Sequence, residues 1–293
     1  MKAGVIYPQI ELGGDIGAVK AFAQAAEDLG YDHIVIYDHV LGAEHSGREP
    51  KLTGPYKDTD PFHEPLITYA YLAGVTKTLG LATGVIILPQ RQTVLLAKQA
   101  ANVDLFSDGR LRLGVGVGWN WVEYDGLEMT KHWRRRGKRQ EQQIALMRKL
   151  WEQPLVTHED SDHKIDRAAI LPRPKRQIPI WLGGSNEVAY DRAARLADGF
   201  MFSGRTQTEA VQIKARIETQ LTALGRGNDG FGFESIQQYS RGDNQWPGDI
   251  KGWRDAGGSH ISVVTMGANL TTVDCHIGAI RRWREVYNSV SQS

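Results

Sequence analysis

The sequence has a single cysteine, Cys275, among its 293 residues. One cysteine excludes an intramolecular disulfide and any metal site built from several cysteines. An excess of charge of one sign is also lacking, because 35 lysines and arginines face 34 aspartates and glutamates, for a formal net charge of +1. This balance argues against nucleic acid or a membrane surface as the main partner.

Long apolar segments are absent as well. No stretch approaches the roughly 20 apolar residues of a membrane-spanning helix, and the apolar run at 1–8 is too short for a secretory signal. The sequence contains neither the nucleophile elbow G-x-S-x-G nor the phosphate loop G-x-x-x-x-G-K-[ST]. We therefore expect a soluble, cytoplasmic protein whose partner is a small molecule.

What the sequence does contain is a regular alternation of strand and helix patterns. Eight such pairs in this length favour an α/β fold of the closed (β/α)8 barrel type, or TIM barrel, over a doubly wound open sheet. We expect one domain over 1–293, with an irregular, polar inserted segment at 154–177. The predicted strands are 3–8, 33–37, 81–88, 111–118, 178–182, 198–202, 231–240 and 260–266, and the helices are 15–29, 65–79, 93–106, 138–151, 187–196, 208–224, 248–256 and 272–287.

A glycine run ends the fourth predicted strand. Gly114, Gly116 and Gly118 alternate along it and lead into Trp119. Glycine weakens a strand, so the run suggests that a flat ligand approaches the backbone, and a tight strand end or bulge is the alternative. The dinucleotide fingerprint G-x-G-x-x-G is excluded, because its sixth position holds a tryptophan in either register.

A second glycine motif follows the fifth predicted strand and opens a helix. Gly183 and Gly184 allow close approach of a ligand, and Ser185 or Asn186 can cap the helix. Free backbone N–H groups and the helix dipole favour an anion there, and late loops of barrels commonly bind phosphate. A plain capped turn is the alternative.

Asp38 and His39 end the second predicted strand. In a barrel this position belongs to the functional face, where a histidine can exchange a proton or steady an anion. A lone histidine is otherwise more often structural.

Two further groups of side chains carry weaker signals. The basic run 131–139 fits a solvated loop, with nucleic acid or a polyanionic cofactor as alternatives. His158 and His163 lie in an acidic stretch, but their spacing matches no zinc pattern, so we predict no metal site.

Taken in order, these motifs resemble the bacterial luciferase-like superfamily, and within it the F420-dependent oxidoreductase branch of the luciferase-like monooxygenases. The resemblance runs from Val5 to about Ile280. It rests on the shared order and spacing of matched segments: 25–32, 38–40, 82–85, 107–119, 136–139, 171–174 and 179–184, with Glu123 soon after the glycine run.

The resemblance implies a barrel that binds a flavin or deazaflavin at the strand ends. It implies a non-proline cis peptide between Gly84 and Val85, and a histidine near the reactive ring carbon, here His39. Asp38 would orient His39 or anchor the strand end. The implied cofactor-binding residues are Thr83, Gly84, Val85, Gly116, Gly118, Gly183, Gly184, Ser185 and Asn186.

The sequence departs from the sugar-phosphate dehydrogenases of that branch at one position. Those enzymes carry an acidic residue directly after the second glycine of the strand motif, where this chain has Trp119. We expect Trp119, with Asn120 and Glu123, to line a pocket for a planar or apolar substrate, and a packed core tryptophan is the alternative.

We predict an oxidoreductase that transfers a hydride between coenzyme F420 and a small organic substrate. The first alternative is an FMN-dependent monooxygenase that uses reduced flavin and O2. The second is a cofactor-free binding protein, because a fold does not determine a function. The substrate, the direction of transfer and the oligomeric state, a homodimer included, stay open at this stage.

Overall fold

A computed structural model describes residues 1–291 and shows an eight-stranded parallel barrel surrounded by helices. The strands are β1 (Lys2–Ile6), β2 (His33–Ile36), β3 (Gly80–Thr83), β4 (Ile86–Ile87), β5 (Leu111–Gly116), β6 (Val156–Glu159), β7 (Lys164–Ala168), β8 (Ile180–Gly183), β9 (Gly199–Phe202), β10 (Gly232–Gln238) and β11 (His260–Val264). The helices are α1 (Gln9–Leu12), α2 (Ile16–Asp28), α3 (Pro65–Val75), α4 (Thr93–Phe106), α5 (Trp121–Gly126), α6 (Arg136–Glu152), α7 (Glu187–Leu196), α8 (Gln207–Ala223), α9 (Trp246–Asp255) and α10 (Val273–Ser291).

The barrel closes through parallel pairing of the first and last strands. The strand order around it is β1, β2, β3, β5, β8, β9, β10, β11, and β11 pairs with β1. Strand β4 continues the line of β3 beyond a cis peptide between Gly84 and Val85, and it also pairs with β5. The predicted (β/α)8 barrel and the predicted cis peptide are both confirmed.

Burial on both faces explains why the strands could be recognised from the sequence. Their inner faces meet in a small apolar cluster inside the barrel, and their outer faces pack against the helices in a much larger one. Parallel strands covered on both sides are continuous apolar segments. The members of the inner cluster are Ile6, Val35, Ala82, Trp181, Met201 and Val264.

A charged group lies inside the barrel towards the amino-terminal ends of its strands. The fully buried Glu234 carboxylate is 2.7 Å from His33 Nε2 and 2.5 Å from an Arg112 guanidinium nitrogen. These ion pairs lower the pKa of Glu234, although burial acts in the opposite direction. His260 packs edge-on against Trp181, and burial with the nearby Arg112 charge lowers its pKa to about 2.

The inserted segment is more ordered than the sequence indicated. We expected 154–177 to be irregular, but it contains the antiparallel hairpin β6–β7. The side chain of Asp160 closes its turn by accepting hydrogen bonds from the backbone N–H groups of Asp162 and His163. The two strands are short and mostly polar, so the apolar alternation that identifies a strand is missing.

The connection from β2 to α3 is long. Residues 40–64 form neither helix nor strand, and they extend over the carboxyl ends of neighbouring strands. Helix α5, which is not among the predicted helices, is separated from the end of β5 by residues 117–120. Among the described residues 1–291, no helix is both long and apolar enough to cross a membrane.

Candidate active site

Asp38 anchors the carboxyl end of β2. Its carboxylate accepts a hydrogen bond from the backbone N–H of Ile87 at 2.9 Å and pairs with Arg91 at 2.7 Å. Arg91 in turn pairs with Glu64 at 2.7 Å. Burial raises the pKa of Asp38, and the Arg91 guanidinium opposes that rise. Of the two roles considered for Asp38, the geometry supports anchoring, because its hydrogen bonds are directed to Ile87 and Arg91.

His39 lies in an aromatic environment at the same strand end, with its side chain only 8% exposed. Its ring makes edge contacts with Tyr56, Phe62 and Trp119, at centroid distances of 5.3, 4.9 and 5.5 Å. Its Nδ1 is 3.4 Å from a carboxylate oxygen of Glu123. One polar nitrogen of the ring therefore faces an acid, while the rest of the ring packs among aromatic side chains.

Trp119 lies beside His39 at the end of β5 and is half-buried. The segment 40–64 covers it: His45 packs edge-on against the indole, and a Cβ at Gly54 would lie 2.3 Å from the indole ring. Trp119 is thus at the carboxyl face of the barrel rather than under its helices. Contact with a substrate stays a prediction. We call Tyr37, His39, His45, Tyr56, Phe62 and Trp119 the aromatic cluster.

The two tyrosines of the aromatic cluster have raised pKa values. Burial, with a contribution from Asp60, raises the pKa of Tyr56 to about 12. Burial raises the pKa of Tyr37 well above its ordinary value. Both phenols keep their protons at neutral pH, so they can donate hydrogen bonds but do not act as bases.

Asn120 and Glu123 are buried, unlike Trp119. The Asn120 side chain caps α5 by accepting hydrogen bonds from the N–H groups of Val122 and Glu123, and it donates one to the carbonyl oxygen of Leu41. Glu123 is 1% exposed. Both side chains hold the loop after β2 through Val40 and Leu41, and the predicted contact of either with a substrate stays a prediction.

The glycines at the ends of β5 and β8 lie in close contact with side chains of the segment after β3. A Cβ at Gly116 would lie 2.5 Å from a methyl group of Val85, and one at Gly183 would lie 3.1 Å from another. At Gly118, where φ is +71°, a Cβ would meet Ile87 at 2.7 Å. Residues of the bulge after β3 and of β4 therefore account for the glycines at these positions, and close approach of a flat ligand stays a prediction. A cofactor contact at Thr83, Gly84, Val85, Gly116 or Gly118 stays a prediction.

The turn after β8 has an exposed backbone and a guanidinium beside it. Asn186 caps α7 by accepting a hydrogen bond from Ala189 N–H at 3.0 Å. Arg205, in the loop after β9, donates a hydrogen bond to the carbonyl oxygen of Ser185 at 2.9 Å, and its buried Nε lacks a partner among the described residues. A Cβ at Gly184 would meet Ala189 at 2.4 Å, so a bulky residue there would first disturb the start of α7.

Arg205 and the segment 40–64 were missed by the sequence analysis. For Arg205 a signal existed, since a basic residue stands between the end of β9 and the Thr206 cap of α8. The sequence of the segment 40–64 gives no signal of its position, because it has no apolar periodicity.

Three arginines of the basic run make contacts within this chain. Arg135 and Arg139 pair with Asp162 at 3.0 and 3.4 Å, and Arg136 stacks over the ring of Trp133. These contacts favour the view that the run is a structural loop and helix start.

His158, Asp160 and His163 come together at the hairpin turn, with potential ligand atoms within 4.8 Å of one another. The spacing in the sequence did not indicate this cluster. Both imidazoles hydrogen-bond Asp160, and the Lys149 ammonium lies 3.3 Å from His158 Nδ1. A cation that close opposes a bound metal ion, and we interpret the cluster as a hydrogen-bonded turn.

Comparison with known proteins identifies the family. The family model of the luciferase-like monooxygenases matches residues 3–236. An uncharacterized protein of Mycobacterium tuberculosis is 30% identical over 229 residues, which cover 74% of this chain and 78% of that protein. An F420-dependent glucose-6-phosphate dehydrogenase of Nakamurella multipartita is 29% identical, over 61% of this chain and 50% of the enzyme. An FMNH(2)-dependent dimethylsulfone monooxygenase of Pseudomonas fluorescens is 25% identical, over 77% of this chain and 60% of the enzyme.

Solved structures agree on the fold. An F420-dependent secondary alcohol dehydrogenase superposes with a TM-score of 0.77 at 14% identity, over 98% of both chains. A long-chain alkane monooxygenase also gives a TM-score of 0.77, at 13% identity, over 98% of this chain and 95% of that one. The resemblance seen in the sequence is thereby confirmed: this chain belongs to the luciferase-like monooxygenase family of oxidoreductases and monooxygenases.

Proposed function

We propose that this protein is an F420-dependent oxidoreductase that transfers a hydride between the deazaflavin and a small, uncharged organic substrate. The observation that carries the proposal is the position of His39 at a strand end, beside Trp119 and in front of Glu123. Barrel enzymes hold their reacting groups at this face. The family includes F420-dependent dehydrogenases, which supports the choice of cofactor.

The turn after β8 fits the phosphate of such a cofactor. Its exposed backbone lies at the start of α7, where a helix dipole favours an anion, and Arg205 adds a guanidinium with an unpartnered Nε. We propose that Gly183, Gly184, Ser185 and Asn186 bind the phosphate together with Arg205. The bulge residues Thr83, Gly84 and Val85, backed by Gly116 and Gly118, would support the ring.

When bound, F420 supplies the carbon that accepts or donates the hydride, and the protein supplies orientation and proton transfer. The cofactor thus handles the hydride and the protein handles the proton. His39 exchanges the proton of the substrate oxygen, because a histidine can take up and release a proton near neutral pH. Tyr37 and Tyr56 keep their protons because their pKa values are raised, so they can donate hydrogen bonds to the substrate but do not take its proton. Asp38 holds the strand end on which His39 lies.

The surroundings of His39 favour an uncharged substrate with an apolar or planar part. The side chains around its ring are those of Tyr56, Phe62 and Trp119, and an acid, Glu123, lies 3.4 Å from its Nδ1. An anionic sugar phosphate would meet aromatic rings and an acidic side chain there. We propose that Trp119 contacts the substrate directly, which its half-buried position at the strand end allows.

An FMN-dependent monooxygenase is the second candidate, favoured by the 25% identity to a dimethylsulfone monooxygenase that uses FMNH(2). The two candidates differ in what the cofactor does, since reduced FMN can react with O2 whereas F420 exchanges hydrides.

The experiment that separates them is a titration of purified protein with F420 and with FMN, followed by absorbance and calorimetry. We expect saturable binding of F420 that is at least tenfold tighter than binding of FMN, about 1.4 kcal/mol. Tighter binding of FMN would select the monooxygenase. Binding of neither would select a cofactor-free binding protein.

A further inference from the structure

The two carboxylate oxygens of Glu123 have different partners. One oxygen accepts hydrogen bonds from the backbone N–H groups of Val40 and Leu41, at 2.5 and 3.1 Å. The other lies 3.4 Å from Nδ1 of His39. The first oxygen thus accepts both hydrogen bonds from the backbone of the loop after β2. The second oxygen is left to accept a hydrogen bond from His39.

Helix α5 holds Glu123 in this place. Asn120 caps α5 through the N–H groups of Val122 and Glu123, and the Asn120 amide donates to the carbonyl oxygen of Leu41. Asn120 and Glu123 therefore tie the first turn of α5 to residues 40–41 from two sides. Because Glu123 is only 1% exposed, solvent does not compete for its oxygens.

We propose that Glu123 is a positioning residue that sets the tautomer of His39. A carboxylate only accepts hydrogen bonds, so the ring nitrogen that faces it carries the hydrogen. Nδ1 is then the protonated nitrogen, and Nε2 is the free one, available to take a proton from the substrate. The 3.4 Å separation is long for a hydrogen bond, as is common for catalytic contacts before the substrate is present. This role rests on the proposed function, since it gives His39 the proton-accepting nitrogen that the function requires.

The variant Glu123→Gln should reverse the tautomer of His39, because backbone donors fix which way the glutamine amide faces. Val40 and Leu41 are backbone donors, so the single amide oxygen of glutamine must face them. The amide nitrogen then faces Nδ1 of His39 as a donor, and Nδ1 has to accept. The hydrogen moves to Nε2, and the free nitrogen is then Nδ1, which faces the substituted side chain. The substitution keeps the size of the side chain and both backbone hydrogen bonds.

The test is a long-range proton–nitrogen NMR spectrum of the histidine rings in the whole protein, recorded without cofactor at a pH at which His39 is neutral. The His39 signals are assigned by their loss in His39→Gln. We expect wild-type protein to show hydrogen on Nδ1 and Glu123→Gln to show it on Nε2. A wild-type ring with hydrogen on Nε2, or the same tautomer in both proteins, would overturn the proposal.

A matched control is Asp38→Asn, the same change at the neighbouring buried carboxylate. Asp38 contacts Arg91 and Ile87, so its variant should leave the His39 tautomer as in the wild type. A tautomer change in Asp38→Asn as well would count against the specific role of Glu123. Circular dichroism checks that each variant folds.

A kinetic measurement adds to the NMR result. Glu123→Gln should lower kcat by about 10²-fold or more while the KM for cofactor stays within a few-fold, as expected for loss of a correctly placed base. Failure of the protein to bind F420 would refute the proposed function and leave the tautomer result standing. A reversed tautomer with unchanged kcat would refute the positioning role alone.

Discussion

Trp119 packs directly against the α-carbon of Gly54, and this contact holds the segment 40–64 over the end of β5. A Cβ at position 54 would lie 2.3–2.4 Å from three atoms of the indole. A glycine at this position is therefore a requirement of the site, because any other residue would separate the segment from the ring.

The first prediction concerns this contact. Gly54→Val should displace the segment, lower the free energy of unfolding by about 1–3 kcal/mol and change the tryptophan signal in near-ultraviolet circular dichroism. Gly74→Ala is the control, since a Cβ on that exposed position of α3 would meet nothing within 4 Å, and it should be neutral or slightly stabilising. Unchanged stability and an unchanged spectrum in Gly54→Val would mean that the segment does not pack on Trp119.

The second prediction concerns the anchor of β2. Arg91→Met removes the cation that pairs with buried Asp38, and it should cost about 3–5 kcal/mol of stability because an unpaired buried charge is left. Urea denaturation measures this loss. In the double variant Arg91→Met/Asp38→Asn only the partly exposed Glu64 loses its partner and no fully buried charge is left unpaired, so the loss should be smaller than in the single variant. A single variant within about 1 kcal/mol of wild type would contradict the anchoring role.

The third prediction concerns the phosphate. Arg205→Gln should weaken F420 binding at least tenfold, because the guanidinium beside Ser185 is lost. Isothermal calorimetry measures the affinity. Arg282→Gln is the matched control, since Arg282 is exposed and pairs with Asp243, away from the turn after β8. Equal affinities for the two variants would remove Arg205 from the cofactor site.

The fourth prediction concerns pH. His260 has a pKa of about 2 in the folded protein against an ordinary value of 6.5, so the unfolded chain takes up the proton first as pH falls. Stability therefore decreases as pH falls below 6.5. The lowered pKa of Glu234 acts in the same direction below its ordinary value of 4.5. Unfolding midpoints in urea should fall less steeply between pH 6.5 and 4.5 in His260→Gln than in wild type, and equal slopes would contradict this account.

The barrel could be predicted because its strands are buried on both faces and its helices begin at recognisable caps. Strand β8, with Trp181 inside the barrel, and helix α7, capped by Asn186, both follow from local sequence. The contact of His39 with Glu123 could not be predicted, because the two residues are 84 positions apart and meet only through barrel closure and α5.

The glycine run shows a second limit of prediction from the sequence. The presence of glycines correctly indicated close approach, and Val85 approaches Gly116 and Gly183 while Ile87 approaches Gly118; contact with a ligand stays a prediction. A sequence shows that space is needed beside a backbone, whereas which group fills that space depends on the register between strands. The pairing of Asp38 with Arg91 is similar, since neither residue indicates its partner before the turn after β4 is in place.

The most direct test of hydride transfer by F420 with His39 as the proton-exchanging group is the absorbance of F420 during turnover. Wild-type protein and His39→Ala are mixed with F420 and a panel of uncharged aromatic and aliphatic alcohols, or with reduced F420 and the matching carbonyl compounds. We predict that wild type changes the F420 absorbance at the same rate with and without O2. His39→Ala should bind F420 within a few-fold and react about 10²–10⁴-fold more slowly. Full activity of His39→Ala, or product formation only with reduced FMN and O2, would contradict the account.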